Sequence, residues 1–190
     1  MVSINNVPID TNSITEIHIG QTDGIIDIPD MFLGLYYNRE SDTDLQAFPA
    51  LRKAYLKGMR TYYIHYNSST YNAIFMQGCP NLVEISVPTI VEWDEDDYIW
   101  LPQNFLANFT KLTDIDLSGF SNVDKIAANF LDGCSSLTYL DCAVMTGLVD
   151  DESVENFFLA NCTSLETVYM GKIPATVFGP LESGDPSSFT

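Results

Sequence analysis

The chain has 190 residues, with 26 acidic side chains against 8 basic ones for a formal net charge of −18, and 46% of its residues are hydrophobic. That length suffices for one domain burying roughly 70% of its unfolded surface, so neither a disulfide nor a metal is needed to hold it together. The charge argues against nucleic acid and anionic membranes as partners, and no apolar run approaches the ~20 residues of a membrane span.

The first twenty residues carry neither a basic start nor an apolar stretch of signal length. The expectation is a protein kept in the cytoplasm or released within a particle, unless the chain belongs to a larger product. Inside that stretch ITEIHI, from Ile14, alternates apolar and polar residues. This is the period of a strand with one buried face, here carrying Ile17 and Ile19. A second strand of the same kind follows in FPALRKAYL, from Phe48, with Leu51 as anchor and Ala54 and Leu56 inward. Phe32 is its displaced aromatic, set apart by the inserted residues LYYNRESDTDLQ at 35–46.

Four fuller copies come next: FMQGCPNLVEISV from Phe75, FLANFTKLTDIDL from Phe105, FLDGCSSLTYLDC from Phe130 and FLANCTSLETVYM from Phe158. Their anchors Leu82, Leu112, Leu137 and Leu165 are spaced by 30, 25 and 28 residues. An apolar or aromatic residue stands four before each Phe: Ile28, Tyr71, Leu101, Ile126 and Val154. A unit this short cannot bury its own apolar face, so units stack, share a core and pair their strands in parallel about 4.8 Å apart. NFLANF, ANFLDG and NFFLAN are expected to form single helical turns on the convex side. The predicted fold is an α/β solenoid of about six units with one curved parallel sheet. It forms a single domain over 1–190, with degenerate, insertion-bearing units at 14–70, clear ones at 71–170 and a cap or tail at 171–190.

These copies resemble the BspA-like leucine-rich repeats, whose signature is similar to I-x-x-x-F-x-x-C-x-x-L-x-x-I-x-I. The likeness covers residues 14 to 174, with insertions at 35–46, 58–70 and 92–100. It implies a non-catalytic surface protein that adheres to or binds other proteins, and such repeats also occur in phage-encoded proteins.

Cys79, Cys134 and Cys162 share one repeat position, which Phe109 fills in the remaining clear unit. A slot that accepts Cys or Phe is an apolar core position, and Cys142 falls on an inward strand position, so four buried, reduced thiols are expected. The alternative is a disulfide between Cys134 and Cys162 of adjacent units. No metal spacing or catalytic motif is present, so neither an enzyme nor a cofactor is expected, and a hydrolase is the remotest reading. The acidic run WDEDDYIW fails as an EF-hand, because Ile99 and Phe105 stand where Gly and Glu are required. It reads as a solvated convex loop between packing tryptophans, with a cation site of another kind as the alternative. Asn108 and Asn161 share a position with Gly78 and Gly133, which is turn chemistry.

The outward strand residues form three columns. The first is Glu16, Lys53, Glu84, Asp114, Tyr139, Thr167; the second His18, Tyr55, Ser86, Asp116, Asp141, Tyr169; the third Gly20, Lys57, Pro88, Ser118, Ala143, Gly171. Arg52, Lys53, Lys57 and Arg60 gather in the second unit. Glu84, Asp114, Asp116 and Asp141 gather in the centre, flanked by Tyr139 and Tyr169. These six central residues are the predicted partner-binding site, for a protein or glycan with a basic matching surface, although a solvated face with charge pairing accounts for the same residues. The tyrosine-rich insertions are a second candidate surface or a cap. Ile173, Val177, Phe178 and Leu181 are expected either to fold over the last unit or to leave it to an assembly neighbour. The functions in play are a recognition or adhesion module and a structural component of an assembly such as a phage virion or appendage.

Overall fold

The computed structural model describes residues 10–21, 24, 48–62, 64, 75–92, 98–149 and 153–171, with backbone strands also at Ser3–Ile4, Val7–Pro8, Leu35–Asn38 and Thr43–Gln46. In chain order the strands are β1 (Ser3–Ile4), β2 (Val7–Pro8), β3 (Glu16–His18), β4 (Leu35–Asn38), β5 (Thr43–Gln46), β6 (Lys53–Tyr55) and β7 (Arg60–Thr61). They continue as β8 (Glu84–Ser86), β9 (Thr89–Ile90), β10 (Trp100–Leu101), β11 (Asp114–Asp116), β12 (Lys125–Ile126), β13 (Tyr139–Asp141) and β14 (Thr167–Tyr169). The architecture is strands in mostly parallel sheets with almost no helix; one 3-10 turn, Ser118–Phe120, is present among the described residues.

Six of these strands fall where the alternation places them. β3, β6, β8 and β11 pair in parallel, aligning Glu16, Lys53, Glu84 and Asp114 in one row and His18, Tyr55, Ser86 and Asp116 in the next. β13 and β14 pair the same way, Tyr139 with Thr167 and Asp141 with Tyr169. The expected continuous sheet is divided, because β11 and β13 are not paired. In the second and third units Leu56 and Val87 each donate an N–H to the next unit, at 2.9 and 3.0 Å. Their counterpart Leu117 has left the extended conformation (φ −86°, ψ 4°) to enter the 3-10 turn, and makes no such bond among the described residues. The turn delivers Phe120 into the core, edge-on to Phe105 at 5.4 Å.

The residues four before the aromatic anchors form a second ladder. Leu101 pairs with Ile126, and Ile126 bridges to Val154, all in parallel. Behind them the anchors stack: Phe75 on Phe105 at 5.7 Å, Phe105 on Phe130 at 5.8 Å, Phe130 on Phe158 at 5.5 Å. Phe105, Phe120 and Phe130 are fully buried, and burial of each ring contributes roughly 1.5–3 kcal/mol.

The expected helical turns are absent. Around each Phe the backbone instead takes positive φ at alternating positions: Asn104, Leu106 and Asn108 in one unit, Asn129, Leu131 and Gly133 in the next, Phe157, Leu159 and Asn161 in the last. A helix closes its hydrogen bonds on itself. Here the reversed peptide planes direct them between units: Asn104 N–H to Ala128 O, Asn108 N–H to Asp132 O, Leu131 N–H to Phe105 O and Gly133 N–H to Ala160 O, at 2.6–3.0 Å. Positive φ costs a leucine about 1 kcal/mol, which burial of the Leu106 and Leu131 side chains offsets.

The inserted residues 35–46 carry an antiparallel pair, β4 with β5. Trp93–Asp97, and with them most of the acidic run, lie outside the described residues, as do Phe32, Tyr71 and the C-terminal Ile173, Val177, Phe178 and Leu181. No helix among the described residues is long and apolar enough to cross a membrane.

Candidate functional site

The outward side chains of the six aligned strands form two regions of different character. In the first, from β3 to β8, polar groups are matched to one another. Lys53 Nζ lies 2.8 Å from one Glu84 carboxylate oxygen, and the Tyr55 hydroxyl donates to the other at 2.6 Å. The His18 ring stacks on Tyr55 with centroids 4.6 Å apart and contacts Glu16 at 2.6 Å. The hydrogen bonds from Lys53 and Tyr55 hold the Glu84 carboxyl below its ordinary value. The same carboxylate raises the values of Lys53 and Tyr55. Ser86, expected outward, is buried, and its hydroxyl accepts the Leu56 N–H at 3.1 Å.

The second region runs from β11 to β14. The Asp114 carboxylate and the hydroxyls of Tyr139 and Tyr169 have no hydrogen bond or ion pair among the described residues. Tyr139 is 51% exposed and Tyr169 56%, although both stand on backbone fixed by the β13–β14 ladder. Asp141 faces Tyr169 across that ladder, and Asp114 faces the unpaired side of β13.

The structure therefore keeps all six predicted residues on the outward face and divides them by role. Glu84 is engaged with Lys53 and Tyr55. Asp116 accepts the Ser118 N–H at 2.8 Å and lies 3.6 Å from Lys57. Burial opposes its ionisation, but the hydrogen bonds from Ser118 and the charge of Lys57 prevail and lower its value. Asp141 accepts the Ala143 N–H at 2.9 Å. Both aspartates thus close a turn after their strands with one carboxylate oxygen. Among the described residues the Asp114 carboxylate and the Tyr139 and Tyr169 hydroxyls are unengaged, and Asp141 keeps one oxygen free of any bond. The acidic cluster read from the sequence is consequently smaller: Glu84 belongs to the self-paired region, and Asp116 leans toward Lys57.

Sequence reasoning also missed what the cysteine slot does. Cys134 Sγ donates to Leu106 O and Cys162 Sγ to Leu131 O, each at 3.2 Å. These carbonyls belong to positive-φ residues of the preceding unit, so the thiol provides a hydrogen bond as well as volume. All four cysteines are free. Burial pushes Cys79, Cys134 and Cys142 up to about 12, and raises the half-buried Cys162 as well. Among the described residues no cluster of His, Cys, Asp and Glu could hold a metal ion. The periodic Asn104, Asn108, Asn129 and Asn161 were the available sign of the left-handed turns, since Asn tolerates that conformation better than most residues.

No family profile, curated protein or solved structure matches this chain.

Proposed function

We propose that the chain is a leucine-rich solenoid of the BspA-like kind, acting as a non-catalytic recognition module for a protein or glycan through the β11–β14 part of its strand face. One observation carries this reading. Two tyrosines more than half exposed on ladder-paired strands share a face with Asp114, whose carboxylate has no partner among the described residues, while the β3–β8 part of the same face satisfies itself. Tyrosine offers a large amphipathic contact at low entropy cost, and desolvated aromatic anchors carry most interface affinity. Adjacent carboxylates select a partner with hydroxyl or cationic groups and set its association rate.

The test is a screen of the purified protein against immobilised glycans and basic peptides, repeated with Tyr139→Ala and Tyr169→Ala. A ligand whose affinity falls by ~2 kcal/mol or more in either variant supports the reading. Ligands bound equally well by both variants and the parent chain would contradict it.

A second reading, a structural component of an assembly such as a virion, is favoured by a different observation. Phe158, Leu159, Cys162, Leu165, Val168 and Met170 of the last unit are only partly buried, whereas their equivalents in the preceding unit are buried. Terminal repeats need a cover. Concentration-dependent sedimentation that stops when Val168 is changed to Lys would favour this reading.

A further inference from the structure

Half of the eight basic residues in this strongly acidic chain lie between Arg52 and Arg60, and they are not used alike. Lys53 is committed to Glu84. Lys57 and Arg60 instead line a cavity of about 370 Å³ with Gln21, Gly58 and Thr89. Among the described residues no acidic side chain is in that lining. We propose that this cavity is an oxyanion site, taking the carboxylate or phosphate group of a small ligand. It is distinct from the tyrosine face proposed above and does not depend on it.

The walls come from three successive units and are fixed by backbone. Gly58 approaches the first unit so closely that a Cβ there would strike Ile19 O and the Gly20 backbone. That contact seats the Leu56–Met59 turn, closed by the Met59 N–H to Leu56 O bond at 2.8 Å, directly against the unit that supplies Gln21. On the other side Thr89 is held twice: its N–H donates to Met59 O and its hydroxyl to Lys57 O, both at 2.8 Å. Arg60 pairs with Thr89 in the β7–β9 ladder. Two cationic side chains therefore spring from backbone tied to both neighbouring units, separated by Gly58 and Met59.

The donors suit an oxyanion. Thr89 has spent its hydroxyl proton, which leaves the Lys57 ammonium, the Arg60 guanidinium and the Gln21 amide. Arg60 has no hydrogen bond or ion pair among the described residues, and a guanidinium fork matches two oxygens of a carboxylate or phosphate. Lys57 has a competitor in Asp116, but at 3.6 Å between half-exposed groups that pair is weak and leaves Lys57 able to turn to a ligand. The site is a depression open to solvent, with room for an anionic group and a small body such as a sugar ring beside it.

The experiment is a titration of the full chain with inorganic phosphate and, separately, with glucuronate, at constant ionic strength, following the amide signals of Gly58 and Thr89. Saturable shifts with either probe, weakened about tenfold by Arg60→Gln and again by Lys57→Gln, are expected, since each variant removes a charge-assisted hydrogen bond. Arg60→Lys, which keeps the charge and loses the fork, should fall between. A preference for phosphate or for glucuronate identifies the source of the oxyanion. Both side chains are exposed, so folding should survive, and an unchanged amide spectrum elsewhere verifies it. Shifts that do not saturate with either probe, or that are the same in Arg60→Gln, overturn the proposal.

Discussion

The β3–β8 and β11–β14 parts of the strand face are built by the same repeat and end in opposite states. In the first, Glu84 collects Lys53 and Tyr55, and Tyr55 in turn carries the His18 ring. In the second, the Asp114 carboxylate and the Tyr139 and Tyr169 hydroxyls have no such partners among the described residues, and Asp116 and Asp141 each turn one oxygen to a backbone N–H. The first is a continuous run of paired strands, whereas the second contains the break between β11 and β13, and the two differ as well in which side chains adjoin across the ladders. A lysine between two acids closes the first region. The second has no basic residue at an outward strand position. The repeat thus supplies a common frame with one break in it, and a few cross-strand neighbours decide which part is available to another molecule.

The largest expected effect joins the two regions rather than separating them. Phe105 touches Phe75 on one side, Phe130 on the other and Phe120 edge-on, directly across the place where the sheet is divided. Phe105→Ala should cost about 3–5 kcal/mol, measured by urea unfolding, and should lower both regions in one transition. Two separate transitions in the variant would show that the regions fold independently.

Exposed tyrosines should matter far less to folding. Tyr139→Ala and Tyr169→Ala are expected to change unfolding free energy by no more than about 0.5 kcal/mol, although each is placed to affect binding. A stability loss well above that would mean the rings pack on something and are not a free face.

Phe157 sharpens the contrast between frame and surface. It occupies the position of Asn104 and Asn129, has positive φ, and is 67% exposed. Phe157→Asn should therefore stabilise the chain by about 0.5–1 kcal/mol, because left-handed strain is relieved and little burial is lost. Thermal or denaturant unfolding checks this, and destabilisation would show that the ring is engaged.

These cases also show what could be read from the chain. Register was legible because Leu-x-x-Ile-x-Leu alternation has the period of a strand, and one wrong step would expose every inward residue. The left-handed turns were legible only at Asn108, Asn161 and Gly133, read as turn positions and found at positive φ; the leucines at 106, 131 and 159 are poor left-handed residues, and at 106 and 131 burial overrides that preference. The phenylalanine–leucine run around them looked helical. The site was legible in part. The first two columns are aligned within each ladder, but Ser86 and Pro88, read as outward, are buried, and grouping the acids by sign placed Glu84 with Asp114 when its nearer relation is to Lys53. The turn-closing roles of Asp116 and Asp141 depend on the N–H two residues on, which column reading ignores.

The cysteines give a smaller, kinetic test. Cys162 lies in the same slot as Cys134 but in the half-buried last unit. Under native conditions a thiol reagent should modify Cys162 first, with Cys79, Cys134 and Cys142 reacting only on unfolding, as expected of deeply buried thiols. Equal rates for all four would contradict the burial gradient.

The smallest effect concerns pH. Glu84 is depressed by its hydrogen bonds, so its contribution is present above the unfolded-state value and is lost as pH falls through the lower folded-state value. Lys53 is raised, so its share persists below the ordinary lysine value and is lost only as pH rises through the higher folded one. Between neutral pH and about pH 3 the parent chain should lose slightly more stability than Glu84→Gln. Parallel pH profiles would show that the network contributes nothing.

The contrast between the two regions is tested most directly by mapping tyrosine nitration in the free protein, by mass spectrometry of peptides after brief exposure to tetranitromethane. The reagent attacks phenolate, and Tyr55 donates its hydroxyl to Glu84, which raises its value, while His18 covers its ring. Tyr139 and Tyr169 are predicted to be nitrated well before Tyr55. Tyr55 reacting as fast as either would contradict the claim that one part of this face is closed on itself and the other open.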